Sequence, residues 1–276
     1  MPMTIWVGFK RNEEAVQKFL KEGTSFMSLG KFREALESFN KALEIDARSI
    51  RAWNGKGLAL LYMGMPAEAI KCFAKTLEID PRNHVAWYEK GLCLQELRRF
   101  GESLQCFENA LKFCPTDSPG QLSYILNDKG RSLFEMGKYQ DALECCEKAL
   151  KMNPRSSEAW YYKAVILARL NRPPEQAIEC FDRALQIDPK YVLAWYNKGN
   201  AFFSIGIYDE ALKCYEKALQ ISPNFAQAWL NMGITLANLE RFREALACVK
   251  KCLEINPDIE EARQLRDALL KELKSH

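Results

Sequence analysis

A period of 34 residues runs through this chain from about Val16 to Ile259, and it restricts the fold more than any other feature. Aligned in register, the segments place the same residue type in the same column seven times. Position 8 is small throughout: Gly23, Gly57, Gly91, Gly130, Ala164, Gly199 and Gly233. Position 20 is small again: Ala35, Ala69, Ser103, Ala142, Ala177, Ala211 and Ala245. Position 32 is Ala47, then Pro81, Pro115, Pro154, Pro189, Pro223 and Pro257. Self-similarity at this period marks a solenoid, in which each unit stacks on copies of itself. The functional question becomes which surface the stack holds out, and to whom.

Positions 4, 8 and 11 fall at helical spacing, and so do positions 20, 24 and 27. In the sixth repeat these are Trp195, Gly199 and Phe202, then Ala211, Tyr215 and Ala218, with Gly206 in the break between them. The unit is therefore helix, tight turn, helix, closed by a proline that cannot continue the second helix. Glycine inside a helix costs roughly 1 kcal/mol relative to alanine. Close backbone approach compensates, because the missing side chain admits the large residue at position 24: Phe39, Phe73, Phe107, Phe181 or Tyr215. A pair of helices cannot bury all its apolar surface alone, so neighbours stack and the ends need polar caps. Residues 260–276, charged and helical in pattern, are expected to form such a cap.

These columns resemble the tetratricopeptide repeat, TPR, at nearly every defining position, over repeats at 16–49, 50–83, 84–117, 123–156, 157–191, 192–225 and 226–259. The departures are Phe19 and Leu126 for tryptophan at position 4, Cys146 and Val249 for an aromatic at position 24, and Ala47 for proline. The resemblance implies an all-α fold, a right-handed superhelix (an α-solenoid) of antiparallel helix pairs with the first helices lining a concave groove. Residues 1–15 precede the repeats as an arm or an extra packing segment, with a helix start expected at Asn12 to Glu14. Five extra residues, Ser118 to Leu122, separate the third and fourth repeats, and Ser118 followed by Pro119 predicts a helix that begins a turn early. The fifth repeat has 35 residues because Asn171 to Glu175 lengthens its inner turn.

Composition argues against most chemistry. Net charge is +3 from 39 basic and 36 acidic residues, too balanced for a nucleic-acid or membrane field. No apolar run approaches the length of a membrane span, and the opening Met1 to Lys10 does not read as a secretory signal; the expected location is cytoplasmic. Six of the ten cysteines, Cys72, Cys106, Cys145, Cys180, Cys214 and Cys248, share position 23. Equivalent positions in stacked repeats are roughly 10 Å apart, too far to bridge, so they read as small, half-buried thiols. Cys248 and Cys252 lie one turn apart on one helix, but with only His84 and His276 in the chain a four-ligand zinc site is not expected. No catalytic residues, metal or cofactor are predicted. A lysine column at position 7 (Lys56, Lys90, Lys129, Lys163, Lys198) is expected to pack by its stems and to place its ammonium groups at solvent or a carboxylate.

In the TPR family, positions 2, 5, 6, 9, 12 and 13 of the first helix face the ligand. Carried onto this chain, they give Tyr124, Asn127, Arg131, Tyr161, Tyr162, Val165, Tyr196, Asn197, Asn200, Phe203 and Asn231 as groove residues. Aromatic rings cover apolar side chains of an extended peptide, and amides pair with its backbone. The carboxylate clamp of chaperone-binding members is matched only at Asn200 and Asn231; Tyr196, Glu261 and Leu265 stand where its cations belong. An asparagine ladder at position 6 is matched only by Asn197 and Asn231. Glu89, Glu96, Asp128, Glu135 and Glu158 outnumber Arg131 and Arg169 along the groove. The expected function is a non-catalytic scaffold that binds an extended protein segment with apolar and some basic residues. Self-assembly through groove, arm or end faces is the alternative, and RNA binding is disfavoured by the charge balance.

Overall fold

The structure is a computed structural model that describes residues 3–275, with side chains from Asn12 to Lys274. Among the described residues it is all α-helical, with no strand. The chain divides into two compact units, Met1–Lys138 and Tyr139–His276. Unit 1 holds α1 (Met3–Ser28), α2 (Phe32–Ile45), α3 (Ile50–Tyr62), α4 (Pro66–Ile79), α5 (His84–Glu96), α6 (Phe100–Phe113) and α7 (Pro119–Glu135). Unit 2 holds α8 (Tyr139–Met152), α9 (Ser157–Arg169), α10 (Pro174–Ile187), α11 (Val192–Ser204), α12 (Tyr208–Ile221), α13 (Ala226–Asn238), α14 (Phe242–Ile255) and α15 (Glu260–Ser275). Within each unit every helix packs on the next, and the first helices of successive repeats touch, as α3 touches α5 and α11 touches α13.

Glycine at position 8 is where the helices of a pair come closest. A Cβ added to Gly23, Gly57 or Gly91 would lie 2.6 to 2.7 Å from a ring carbon of Phe39, Phe73 or Phe107. Gly233 meets Val249 instead, at 2.9 Å. These position-24 side chains are almost fully buried, and Ala35, Ala69, Ala211 and Ala245 at position 20 are completely so. A second recurring element fixes the joint between repeats. The indole N–H of Trp53, Trp87, Trp160, Trp195 and Trp229 donates to the carbonyl six residues earlier, at 2.8 to 3.0 Å. Each tryptophan thus ties its helix to the loop that precedes it.

Every inner turn passes through the left-handed region at position 15. Gly30, Gly64, Gly137 and Gly206 take it at no steric cost, but Arg98, Asn171 and Glu240 adopt it as well, at φ of 52° to 60°. The following amide donates back to the position-11 carbonyl, as Arg99 does to Leu94 and Arg241 to Leu236. Turn geometry therefore survives where the glycine is missing.

Two irregularities appear as expected: α7 begins at Pro119 and has 17 residues against 13 for α5, while the turn between α9 and α10 carries one residue more than the others. The start of α1 differs from expectation. It begins at Met3 instead of Asn12, because nothing between Pro2 and Asn12 terminates a helix. Residues 1 and 2 of the expected arm, and residue 276, lie outside the described residues. At the other end α15 buries Ala262 and Leu269 against the α13–α14 core.

Candidate functional site

Along the first helices a tyrosine at position 5 meets an Asx residue at position 6 of the next repeat. In unit 1 the Tyr88 hydroxyl donates to Asp128 Oδ2 at 2.7 Å. In unit 2 Asn197 Nδ2 donates to Tyr161 Oη at 3.2 Å, and Asn231 Nδ2 to Tyr196 Oη at 3.0 Å. Each tyrosine ring also packs on the ring at position 24 of its own repeat, with centroids 6.0 to 6.1 Å apart. Tyr161 and Tyr196 further contact Tyr191 and Phe225, each at 4.8 Å. These tyrosines join second helix, first helix and neighbouring repeat.

In unit 2 the amides link into one chain. Asn200 Oδ1 accepts from Tyr215 Oη and from Asn231 Nδ2, both at 2.8 Å, and Asn200 Nδ2 donates to Asn197 Oδ1 at 3.4 Å. Asn197 Nδ2 also donates to the Leu193 carbonyl at 3.0 Å. An asparagine has two N–H donors, so Asn197 and Asn231 have both engaged, and Asn200 keeps one. Beside this chain α9, α10 and α11 enclose a cleft of about 570 Å³. Val165, Ala177 and Phe181 form its apolar lining, Asn197, Asn200 and Ser204 contribute from α11, and Arg169 and Arg172 contribute from the end of α9 and its turn. A smaller cavity of about 70 Å³ lies among Phe203, Tyr215, Asn231 and Ile234.

Unit 1 has a different polar network. Gln95 Nε2 donates to the Asp128 carbonyl and to Ser132 Oγ, each at 2.6 Å, and Ser132 meets Ser103 at 2.7 Å. The Arg131 guanidinium donates to Gln95 Oε1 and lies 3.7 Å from Asp128. Burial pushes the Asp128 carboxyl up, while the Tyr88 hydroxyl and Arg131 pull it down. Its neighbour Glu89 is pushed up to about 7, by burial first and the Asp128 charge second. Glu135 is paired with Arg98 at 3.8 Å. The acidic surplus counted from sequence is therefore smaller in effect, because Asp128 and Glu135 have cationic neighbours and Glu89 is partly neutral at pH 7.

The lysine column is largely structural. Lys56, Lys90, Lys163 and Lys198 lie 5.3 to 5.8 Å from the ring centroid of the tryptophan three residues earlier. Lys129, Lys163 and Lys198 reach Glu108, Glu147 and Asp182 on the preceding second helix at 2.5 to 3.2 Å. All ten cysteines are free and buried; the six at position 23 are buried and not half-buried, because that position turns into the joint between helices. Burial pushes thiols up, to about 12 for Cys93 and about 11 for Cys106. The described residues contain no group of three or more potential metal ligands, and none of their helices is long and apolar enough to cross a membrane.

The sequence-derived groove residues thus occupy several settings. Val165, Asn197 and Asn200 line the larger cleft, and Phe203 and Asn231 the smaller cavity. Tyr161 and Tyr196 are half-buried and bonded internally, with Tyr162 set edge-on against Tyr161 at 5.3 Å. Tyr124 is 57% exposed. Arg131 turns toward Gln95 and Asp128. Asn127 departs from expectation: it is only 3% exposed, packed within α7's buried face. Sequence reasoning missed Asn171, Arg172 and Ala201 in the cleft; the one-residue insertion in the fifth repeat was the signal that could have drawn attention to the first two.

Known families and structures agree with the repeat fold. Descriptions of the "Tetratricopeptide repeat" match residues 50–83, 82–155, 127–192, 192–225 and 226–259, and a "TPR repeat" description matches 23–64. A comparison with curated proteins gives no match. Among solved structures, the chain is similar to the APC/C hetero-tetramer Cut9-Hcn1 (TM-score 0.73, 17% identity, 91% of this chain), spanning about half, 52%, of that longer chain. A tetratricopeptide repeat protein from Parabacteroides merdae aligns with TM-score 0.69 and 16% identity over 93% of this chain and 99% of its own. YrrB, described as a TPR protein with an unusual peptide-binding site, aligns with TM-score 0.56 and 23% identity over 72% of this chain and 99% of its own. At these identities the likeness is one of fold.

Proposed function

Because the chain belongs to the tetratricopeptide repeat family, a family of protein-interaction scaffolds, we propose that it is a non-catalytic scaffold whose first helices hold an extended peptide segment. The observation that carries this reading is the cleft between α9 and α11, where Val165, Asn197 and Asn200 come together beside an apolar wall. A pocket with an apolar lining and a few placed polar groups suits one side chain of a bound segment. The described peptide-binding site of the similar protein YrrB lends support by analogy of fold. The preferred segment carries apolar or aromatic residues and some basic ones. The exposed Glu96, which makes no ion pair among the described residues, favours cations along unit 1. Ten free cysteines suit a reducing, cytoplasmic setting.

The test is an array of short peptides probed with the full chain at two salt concentrations. Capture of segments with apolar and basic residues supports the proposal. Failure to capture any, or capture that depends on a free C-terminal carboxylate, would overturn it.

A further inference from the structure

Given the peptide-binding role proposed above, we infer that the α9–α11 cleft receives an acidic side chain of the bound segment, held by Arg169 and Arg172. The reason begins in the turn. In the third and seventh repeats an arginine sits at the N-cap of the second helix and pairs with a glutamate three residues on. Arg99 Nε and Nη2 donate to Glu102 at 2.7 Å, and Arg241 repeats this with Glu244 at 2.7 Å. Arg172 occupies the same position of the fifth repeat, but the inserted Pro173 takes the N-cap of α10 and moves the arginine one place out. The residue three beyond that cap is Gln176 instead of glutamate. Glu175 still stands three residues after Arg172 in sequence, but with the cap moved to Pro173 the two make no ion pair among the described residues, so the pairing that neutralises the arginine in the other two repeats is absent here.

Arg169, one turn earlier, adds a second guanidinium to the same cleft. Among the described residues neither arginine side chain makes a hydrogen bond or ion pair, whereas Arg98, Arg99, Arg131, Arg241 and Arg263 all have carboxylate neighbours. No aspartate or glutamate lines the cleft. On its α11 side, the Asn200 oxygen is saturated by Tyr215 and Asn231, and what it has left is one N–H donor. Two guanidiniums and an amide donor call for an acceptor with several lone pairs and a negative charge, which a carboxylate supplies. The apolar lining of Val165, Ala168, Ala177 and Phe181 accommodates the methylenes behind it. A cleft of about 570 Å³ on a nearly neutral chain fits one side chain better than the continuous phosphate backbone of a nucleic acid.

The experiment selects a library of short C-terminally amidated peptides on the full chain, so that only side-chain carboxylates count. It then measures the affinity of an enriched peptide for wild type, Arg169→Gln with Arg172→Gln, and a charge-matched control, Lys217→Gln with Lys250→Gln. All four positions are solvent-exposed, and circular dichroism confirms that the variants remain folded. The expected result is enrichment of Asp or Glu at one register of otherwise apolar and basic peptides. The arginine variant should bind the enriched peptide roughly tenfold to a hundredfold more weakly, the range for charge-assisted hydrogen bonds. It should bind the Asp→Asn or Glu→Gln peptide no worse than wild type does, and the lysine control should bind like wild type. Enriched peptides with no acidic register, or equal losses in the two variants, would overturn the acidic-pocket assignment while leaving peptide binding standing. Displacement of the peptide by an oligouridylate, lost in the arginine variant, would overturn it in favour of nucleic acid. No enrichment at all would remove both readings.

Discussion

The ring of Tyr215 occupies the space that a side chain on Gly199 would need: a Cβ there would be 2.6 Å from Tyr215 Cε1. Tyr215 cannot yield, because it is 1% exposed and its hydroxyl is bonded to Asn200. Gly199→Leu should therefore destabilise unit 2 by about 3 kcal/mol or more, at the upper end for overpacking. A thermal midpoint equal to wild type would show that the helices of this repeat do not meet at position 8.

The amide chain predicts coupled losses. Asn200→Ala removes the acceptor of the buried Tyr215 O–H and of one N–H of Asn231, and a stranded buried donor costs about 1–3 kcal/mol. Asn231→Ala removes one of the same bonds. The double variant should be less destabilised than the two single losses added, by a double-mutant cycle in urea. Additivity would mean that the two residues do not share a network.

Glu89 makes unit 1 sensitive to pH. The folded protein holds its proton to about 7, whereas the unfolded chain releases it near 4.5. Across that window the unfolded state binds fewer protons, so the contribution of Glu89 to stability is fully present below about 4.5 and is lost as pH rises through about 7. Glu89→Gln removes this dependence. It should stabilise the protein at pH 8 by up to about 3 kcal/mol and leave it unchanged at pH 4. A gain of the same size at both pH values would show that packing, not ionisation, is responsible.

Glu240 carries left-handed strain that four other repeats avoid with glycine, at φ of 60°. Glu240→Gly should stabilise by about 0.5 kcal/mol, the conformational relief less the entropy glycine gains when unfolded. Glu240→Ala should give no such gain. Equal effects of the two substitutions on the urea midpoint would mean that the side chain, not the backbone, sets the energy.

Thiol chemistry gives an independent check on packing. Burial of all ten cysteines, with thiols such as Cys146 pushed up to about 12, predicts slow alkylation of the native protein at neutral pH. Full and rapid reaction is expected once the chain is denatured without reductant. Rapid labelling of the native protein at position 23 would contradict the burial.

What could be read from sequence was whatever a column enforces. Gly199 and Tyr215 recur at fixed spacing because one backbone approach is repeated, so their contact was legible before any coordinates. The lysine column was legible in kind, and Lys198 meeting Asp182 on one side and Trp195 on the other follows from its stem length. Asn127 was misplaced because position 5 is not exposed in every repeat: Leu20 and Leu230 occupy it too and are buried, at 3% and 4% exposure. Tyr161 and Tyr196 recur at position 5 of their repeats, but no periodicity says that their hydroxyls are already bonded. The insertion at Asn171 to Glu175 was visible as a longer repeat, but sequence alone does not say that it leaves Arg172 unpaired with Glu175, because that depends on where the cap of α10 falls.

The tryptophans at the joints have an optical consequence. Five of the chain's six indoles sit in nearly one chemical setting, each bonded to a carbonyl six residues earlier. That bond is lost when the local joint opens, so each ring reports on its own repeat and on little else. Chains keeping Trp53 alone or Trp229 alone would report, by emission, the order in which the two ends come apart. The sequence has in effect distributed a set of matched fluorophores along its own length.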